Sequence, residues 1–328
     1  MQIRTALAAS VAAVALAACA ANAQETITTP EGALMQTGSD LAYGPGELSE
    51  AQLNGSASHL FRQNSMNVFR RFPREATDQM VNFYVNALSL RALNPIQLTS
   101  TQQMILTGVG TGQVKLSAGQ QGNRLYNLEG GYAGGTGIRF FAFTYPDRAV
   151  VTQRFTDAGF AAPQFVRRDD GLWQALVRDP AGFDVVILIR NGAADHSDDG
   201  VGVGIHVSDL EASRAFYRDF VGLEELPVAP APLLGTTLYP YRHGETTLML
   251  YDMGDNLPAD NGSAGIQYVV SDAPFVAAMG AHRGVAVETP LNRLTGFDLV
   301  TVWLNDPDGV TNYFAQVGPN TPPITEAD

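Results

Sequence analysis

The pattern of apolar and polar positions repeats along this chain from about residue 68 onward. Both halves contain a Phe-Tyr pair, followed seven residues after the phenylalanine by a leucine, on a segment whose spacing predicts a helix with its aromatic side chains buried. Both halves end in an Asp-Pro-x-Gly sequence, which is typical of a turn because proline and glycine suit its backbone angles. These motifs are Phe83-Tyr84 with Leu90, Phe216-Tyr217 with Leu223, Asp179–Gly182 and Asp306–Gly309.

Apolar runs on both sides of each turn predict pairs of strands. The predicted strands are Leu172–Val177 with Val185–Ile189, and Leu299–Leu304 with Tyr313–Val317. A second repeat lies inside each half, where a strand is followed by a helix that begins at an aspartate. These elements are Ile138–Thr144 with Asp147–Asp157, and Ile266–Val270 with Asp272–Met279. Each half is therefore predicted to hold two units in which one strand, one helix and further strands follow one another.

Composition marks the boundaries between these parts. Residues 24–66 are rich in small and polar residues and are predicted to be a flexible leader, with one helix over Glu47–Phe61. The first module is assigned to residues 67–190 and the second to residues 201–317, with a polar linker between them. Residues 318–328 contain several prolines and are predicted to be an irregular tail.

Residues 1–23 are predicted to be a signal peptide, since Arg4 precedes a short run of small apolar residues that is below transmembrane length. Two processing routes fit this segment. Ala21-Asn22-Ala23 is a site for ordinary cleavage, which implies a periplasmic or secreted protein. Leu16–Cys19 is similar to a lipoprotein signal, which implies a protein anchored to a membrane through a lipid on Cys19.

The composition restricts the chemistry further. Cys19 is the only cysteine of the 328 residues, so the sequence offers no disulfide pair and no cysteine nucleophile in the mature chain. The net charge of −13 argues against a nucleic-acid partner, because a negative field repels phosphate backbones. Lys115 is the only lysine, so any Schiff-base chemistry would have to use it, and we do not expect such chemistry.

The segment Gly204–Tyr217, closed by Gly222-Leu223, resembles the opening strand and helix of the vicinal-oxygen-chelate superfamily, which includes glyoxalases, bleomycin-resistance proteins and dioxygenases. Trp303–Gly309 is similar to the closing hairpin of that superfamily, and the first half matches less closely because Ala76 stands where the second half has Asp209. The resemblance covers residues 67–317. It implies an α+β fold of paired βαβββ modules that form half-open barrels, in a monomer or a homodimer.

The same resemblance implies a divalent metal in each barrel, held by His, Gln or Glu near the start of the first strand and by Glu on a closing strand. The matching places in this chain carry other side chains: Phe69, Phe140, Gly202 and Gly265 on opening strands, and Val186 and Tyr313 on closing strands. None of these side chains is an ordinary oxygen or imidazole ligand. We therefore predict no metal cofactor, with a divalent metal on atypical ligands as the alternative.

Two residues are candidates for catalysis. His206 shares strand parity with Gly202, so it is predicted to face the cavity, where it could act as a general base; the alternative is a buried core histidine with satisfied hydrogen bonds. Tyr313 stands at the place of the metal-binding glutamate. It either donates a hydrogen bond to a ligand or fills an unused metal site.

The candidate ligand-binding residues are Gln267, Tyr239, Tyr241 and His243. Gln267 lies on the same predicted face as Gly265. The other three alternate along one strand and would form an aromatic wall for a planar ligand, or else the exposed end of a hairpin.

Taken together, the sequence predicts an exported protein that binds a small, partly apolar organic molecule in a barrel cavity without a metal. Such a protein could act as a metal-independent lyase or isomerase. Two alternatives stay open: a metal-dependent glyoxalase- or dioxygenase-type enzyme that uses ligands such as His206 and Gln267, and a non-catalytic module that sequesters its ligand.

Overall fold

The computed structural model describes residues 25–28, 34–37, 41–97, 103–120, 123–193, 200–294 and 297–318. The predicted signal peptide, the lipidation site at Cys19 and all but the first residue of the predicted tail lie outside these ranges. The strands are β1 (Glu25–Thr28), β2 (Leu34–Thr37), β3 (Asn67–Phe72), β4 (Arg91–Ala92), β5 (Ile96–Gln97), β6 (Gln103–Val109), β7 (Gly112–Ala118), β8 (Thr136–Tyr145), β9 (Val166–Arg167), β10 (Trp173–Arg178), β11 (Asp184–Ile189), β12 (Gly202–His206), β13 (Glu224–Glu225), β14 (Ala229–Ala231), β15 (Thr236–His243), β16 (Thr246–Tyr251), β17 (Ala259–Asp260), β18 (Ala264–Val270), β19 (Val287–Leu294), β20 (Leu299–Asn305) and β21 (Thr311–Val317). The α-helices are α1 (Glu50–Leu53), α2 (Thr77–Val81), α3 (Arg148–Asp157), α4 (Leu210–Arg214) and α5 (Ala273–His282).

These strands form two curved, open sheets, as the predicted α+β fold of βαβββ units requires. Sheet I has the order β1-β2-β19-β20-β21-β18-β3-β7-β6-β4, with β5 beside β6. Sheet II has the order β13-β15-β16-β12-β8-β11-β10-β9, with β14 beside β15 and β17 beside β8. The first and fourth units along the chain build sheet I, and the second and third units build sheet II.

Each of the two tandem modules therefore supplies one unit to each sheet, and the opening strands join the units at the middle. In sheet I, β3 and β18 pair antiparallel, with Val68 opposite Ile266. In sheet II, β8 and β12 pair antiparallel, with Phe141 opposite Val203. The border between the sequence halves is consequently not a border between sheets.

Helix starts follow the local chemistry that the sequence predicts. Asp147, Asp209 and Asp272 each accept hydrogen bonds from backbone N–H groups of the first turn of α3, α4 and α5. Ala76, at the corresponding place in the first unit, provides no side-chain cap for α2. Both α2 and α4 continue into π-helical turns, over Asn82–Ala87 and Ala215–Val221, which carry the Phe-Tyr pairs.

Part of the predicted flexible leader is ordered. Residues 41–66 contain α1, which has a capping box formed by Ser49 and Gln52, and a 3₁₀ turn over Ala57–Leu60. The single helix expected over Glu47–Phe61 ends early, with Asn54 and Gly55 following α1. Ala57, Leu60 and Met66 join the main hydrophobic core, so this segment is fixed by burial of its apolar side chains.

No helix among the described residues is both long enough and apolar enough to cross a membrane.

The Phe-Tyr motif of one sheet forms a hydrogen bond with the Asp-Pro-x-Gly motif of the other sheet, and this happens twice. The hydroxyl of Tyr84, on the helix of the first unit, donates to Asp179 in the β10–β11 turn of sheet II, over 3.3 Å. The hydroxyl of Tyr217, on the helix of the third unit, donates to Asp306 in the β20–β21 turn of sheet I, over 2.8 Å. Both tyrosines and both aspartates are buried. Each bond thus fixes a helix of one sheet to a hairpin of the other.

The two tyrosine–aspartate contacts differ in the charges that surround the aspartate. Arg70 pairs with Asp179 at 2.8 Å, and both side chains are inaccessible to solvent. The second half has Val203 at the same distance before its tyrosine, and in the described part of the chain no cation pairs with Asp306. Asp306 accepts the Tyr217 hydroxyl and backbone N–H groups. Burial raises the pKa of Asp306 to about 7.

Replacing Asp306 with asparagine should therefore change stability in a pH-dependent way. Because the folded pKa of about 7 exceeds the ordinary 3.8, the stability that the protonated group provides is complete below pH 4 and is lost as the pH rises through 7. We expect Asp306→Asn to gain stability relative to the wild type across that interval, by about 4 kcal/mol at most. Urea unfolding at several pH values measures this difference.

Asp179→Asn is the matched control. It leaves the Arg70 guanidinium buried without its anion, so it should lose about 3 kcal/mol or more near neutral pH. A constant difference between wild type and Asp306→Asn from pH 4 to pH 8 would contradict the ionisation that we assign to Asp306.

Candidate functional site

The helices pack on one face of each sheet, and the opposite face of sheet I carries polar and aromatic side chains. Strand alternation and register place on it Asn67 and Phe69 from β3, Lys115 from β7, Gly265 and Gln267 from β18, Tyr313 from β21, and Trp303 from β20. We call this the helix-free face of sheet I. It contains three of the positions at which the sequence resemblance implies metal ligands, namely Phe69, Gly265 and Tyr313.

The centre of this face is filled by a phenylalanine lying over a glycine. Phe69 and Gly265 are directly opposite each other, and a Cβ atom at position 265 would overlap the Phe69 ring. Sheet II repeats the arrangement, since Phe140 is opposite Gly204 and its ring occupies the space of a Cβ there. In both sheets, a glycine lets an aromatic ring occupy the middle of the helix-free face.

These side chains do not fit a divalent metal. Gly265 and Phe69 offer no donor atom, and burial raises the pKa of the Tyr313 phenol above its usual range, which disfavours the phenolate that would bind a cation. Val186, on the closing strand β11, is packed in an apolar cluster with Phe140 and Ala142. Among the described residues, no three His, Cys, Asp or Glu side chains are grouped as metal ligands would be.

Lys115 and Gln267 meet on the helix-free face of sheet I. The Lys115 ammonium donates to Gln267 Oε1 over 2.5 Å, and Asn67 Nδ2 donates to the same oxygen over 3.0 Å. Asn67 is held in turn by the Gln63 side chain and by the backbone N–H of Gln113. Burial lowers the pKa of Lys115 to about 8.

Tyr313 lies beside Gln267, as its register partner on β21, and against Trp303, with ring centroids 5.0 Å apart. Both aromatic side chains are half-buried. The Trp303 Nε1 atom is buried and has no hydrogen-bond partner among the described residues. Arg124 lies over the Trp303 ring and forms an ion pair with Glu288. With its raised pKa, Tyr313 can donate a proton or a hydrogen bond but is a poor base at neutral pH.

His206 lies on the helix-free face of sheet II, as its parity predicts, but its two ring nitrogens are both engaged. The backbone N–H of Met253 donates to Nε2 over 2.9 Å, so the proton is on Nδ1, which donates to the Gly135 carbonyl over 2.8 Å. The ring stacks on Tyr251 and is inaccessible to solvent. Burial lowers the pKa of His206, so the neutral ring is favoured. This geometry matches a buried core histidine and leaves no lone pair for a general base.

Tyr239, Tyr241 and His243 share one face of β15, as predicted, but that face is the one on which the helices pack. Tyr241 is buried, and its hydroxyl contacts Arg214 and Glu225. Burial lowers the pKa of His243, whose ring packs against Phe61 with centroids 4.2 Å apart. The predicted aromatic wall is thus part of the protein core, because strand alternation fixes which residues share a face but not which face is buried.

Two surface depressions lie beside the sheets. One, of about 570 Å³, opens beside sheet II and is lined by Ala142, Gly202, Met249, Arg190 and Glu245, among others. The other, of about 300 Å³, is lined by polar residues near the end of β20, including Arg124, Glu288 and Asn305. Neither contains His206, Gln267 or Tyr313.

Of the predicted site residues, the structure brings together only Gln267 and Tyr313. His206 lies in the other sheet, so it does not form one site with Tyr313. Sequence reasoning missed Lys115 and Trp303 as members of this face. Lys115 had a usable signal, because the only lysine of the chain stands between the apolar residues Val114 and Leu116.

Residues 201–314 match the family model described as the Glyoxalase/Bleomycin resistance protein/Dioxygenase superfamily. This match lies within the second module. The sequence resemblance seen in Gly204–Tyr217 and Trp303–Gly309 is therefore confirmed.

Solved structures extend the likeness in fold to both modules. Glyoxalase I from Zea mays is 18% identical, with a TM-score of 0.58, and the match covers 77% of this chain and 92% of that one. A putative dioxygenase from Bacillus subtilis subsp. subtilis str. 168 is 15% identical, with a TM-score of 0.53, over 79% of this chain and 86% of that one. At these identities the likeness establishes the fold. No curated protein matches the sequence.

Replacing His206 with phenylalanine should destabilise the protein. The ring could still stack on Tyr251, but the Gly135 carbonyl and the Met253 N–H would lose their partners. Two unsatisfied backbone groups predict a loss of about 2–4 kcal/mol, measurable by urea unfolding at pH 7.5. The exposed His59 provides the control as His59→Phe, which should change stability much less. Equal stability of both variants would refute the core role of His206.

Replacing Lys115 with methionine should stabilise the protein. Since the folded pKa of about 8 lies below the ordinary 10.5, the charged form is disfavoured in the folded state, and this cost is complete below pH 8 and vanishes by about pH 10.5. We expect Lys115→Met to gain on the order of 1 kcal/mol at pH 7 and little at pH 10. Urea unfolding at both pH values tests this, with Arg168→Met, which removes a cation paired with Asp170, as the control. A loss of stability at pH 7 would contradict it.

Proposed function

We propose that this chain is an exported member of the superfamily that binds a small, partly apolar organic molecule on the helix-free face of sheet I without a metal ion. The proposal is based mainly on the side chains that lie on that face. The Phe69 ring occupies the centre, where the superfamily pattern would place metal-binding side chains. The hydrogen-bonding groups of Lys115, Gln267 and Tyr313 lie around this ring.

Sheet I supports this proposal better than sheet II. The helix-free face of sheet II is covered by an apolar cluster in which Phe140, Val186 and Tyr251 pack against Ala231 and Leu234 from the β14 region. The same face of sheet I keeps half-buried Lys115, Tyr313 and Trp303 instead. Aromatic surface with a few fixed polar groups is the usual composition of a site for small organic molecules.

The alternatives are less well supported by the geometry. A metal held by His206 and Gln267 would need two side chains that lie in different sheets, and both His206 nitrogens already have partners. A metal-independent lyase or isomerase could use the Tyr313 phenol as a proton donor, but His206 could not serve as its base. Ligand binding without turnover requires none of these groups to react. The export signal in residues 1–23 supports a role outside the cytoplasm.

Metal titration tests the first part of this proposal. We expect purified, chelator-treated protein to show no stoichiometric tight binding of zinc, manganese, iron(II) or nickel by calorimetry, because the described residues group no three His, Cys, Asp or Glu side chains. Tight one-to-one binding that is lost in Gln267→Ala would overturn the metal-free proposal.

A fragment screen by thermal unfolding tests the second part. Aromatic fragments with one polar group should raise the melting temperature, since a ligand that binds only the folded state stabilises it. The substitution Trp303→Ala should abolish this effect, whereas Trp173→Ala, in β10 of sheet II, should leave it in place. If no fragment stabilises the wild type, or if both variants behave alike, the proposed binding face is wrong.

A further inference from the structure

No carboxylate in the described part of the chain pairs with the ammonium group of Lys115. Arg70, Arg124 and Arg178 each form an ion pair with an aspartate or glutamate at 2.8 Å. Among the described residues, Lys115 contacts instead the neutral amide of Gln267, and burial is the one cause of its altered pKa. A half-buried, uncompensated charge costs folding free energy, which suggests that its retention serves a ligand.

The position of this charge is fixed. Gln267 Oε1 accepts hydrogen bonds from both Lys115 and Asn67, and Asn67 is itself held by Gln63 and by the Gln113 backbone. These contacts connect β3, β7 and β18 at the middle of sheet I. Because the amide network orients the ammonium before any ligand arrives, little conformational entropy would be lost on binding.

Flat apolar surface lies next to the charge. Phe69 is the strand partner of Lys115, and Tyr313 is the strand partner of Gln267. Trp303 extends this surface beyond Tyr313. The face therefore offers the Lys115 ammonium at one side and the rings of Tyr313 and Trp303 at the other.

We propose that the helix-free face of sheet I binds a small planar organic carboxylate, whose anionic group contacts Lys115 and whose ring packs against Tyr313 and Trp303. This inference rests on the proposed function and specifies its ligand class. Two guanidinium groups also lie on this face, but Arg71, over the Phe69 ring, donates to the Gly262 carbonyl, and Arg124, over the Trp303 ring, pairs with Glu288. The Lys115 ammonium therefore matches one carboxylate better than a phosphate or dianion. Because the protein has a net charge of −13, most of its surface repels anions. The Lys115 cation would therefore direct a carboxylate to this face.

Benzoate and its neutral counterpart benzamide are suitable probes. Calorimetry on the full mature chain should show benzoate binding to the wild type and at least about tenfold weaker binding to Lys115→Gln, because a charge-assisted hydrogen bond is lost. Benzamide should bind more weakly than benzoate to the wild type and should not distinguish the two proteins. Arg168→Gln removes one cation elsewhere, where Arg168 pairs with Asp170, and should bind benzoate as the wild type does.

The sole lysine allows a second, direct readout. Acetylation by an N-hydroxysuccinimide ester modifies one side-chain amine in this chain, and peptide mass spectrometry separates it from the amino terminus. Benzoate should slow acetylation of Lys115 several-fold, and benzamide should slow it less. If Lys115 were only structural, benzoate would not change the rate of its acetylation.

The outcomes separate this inference from the proposed function. If benzoate and benzamide bind equally well, or if Lys115→Gln binds benzoate as the wild type does, the carboxylate assignment is overturned while ligand binding on this face stands. If neither probe binds and neither slows acetylation, the carboxylate assignment is also overturned, and the thermal-unfolding screen decides the proposed function independently.

Discussion

The hydrogen bond from a helix tyrosine to a buried hairpin aspartate is the contact on which the arrangement of the two sheets depends. It occurs twice, as Tyr84 with Asp179 and as Tyr217 with Asp306, and each time it connects a unit of one sheet to a unit of the other. The buried aspartate also accepts backbone N–H groups of its own turn, so a single carboxylate shapes the hairpin and joins the sheets. Only one copy has an arginine beside it, and the two copies therefore respond differently to pH.

Much of the fold could be predicted because it depends on local chemistry. Aspartate caps, Asp-Pro-x-Gly turns and alternating apolar strands are short-range features, and the structure has them close to the predicted residues. The pairing of the first unit with the fourth and of the second with the third could not be predicted in the same way, since any opening strand has the same pattern of apolar residues. The order of residues 41–66 was also missed, because a few buried apolar residues suffice to fix a polar segment.

The candidate site was predictable to a smaller extent. Counting from the helix caps located the face that holds Phe69, Gly265 and Tyr313, and it showed that ordinary metal ligands are absent from those positions. Alternation alone could not reveal that Tyr241 and His243 lie in the core. Nor could it show that His206 satisfies both ring nitrogens with backbone groups, since these come from residues distant in sequence or beyond the strand end. Lys115 reaches Gln267 across an intervening strand, which is a property of the assembled sheet.

The stacking of Phe69 on Gly265 couples two positions that are 196 residues apart in the chain. Any side chain introduced at position 265 meets the aromatic ring, whereas truncating the ring alone leaves a void that the glycine cannot fill. The two sites are thus epistatic, and the order of substitution matters. An evolutionary path from this face to one with a coordinating residue at position 265 first has to replace Phe69 with a smaller side chain. The intermediate on that path carries a cavity in the middle of the sheet. Such an intermediate has room for a ligand larger than the present face accepts.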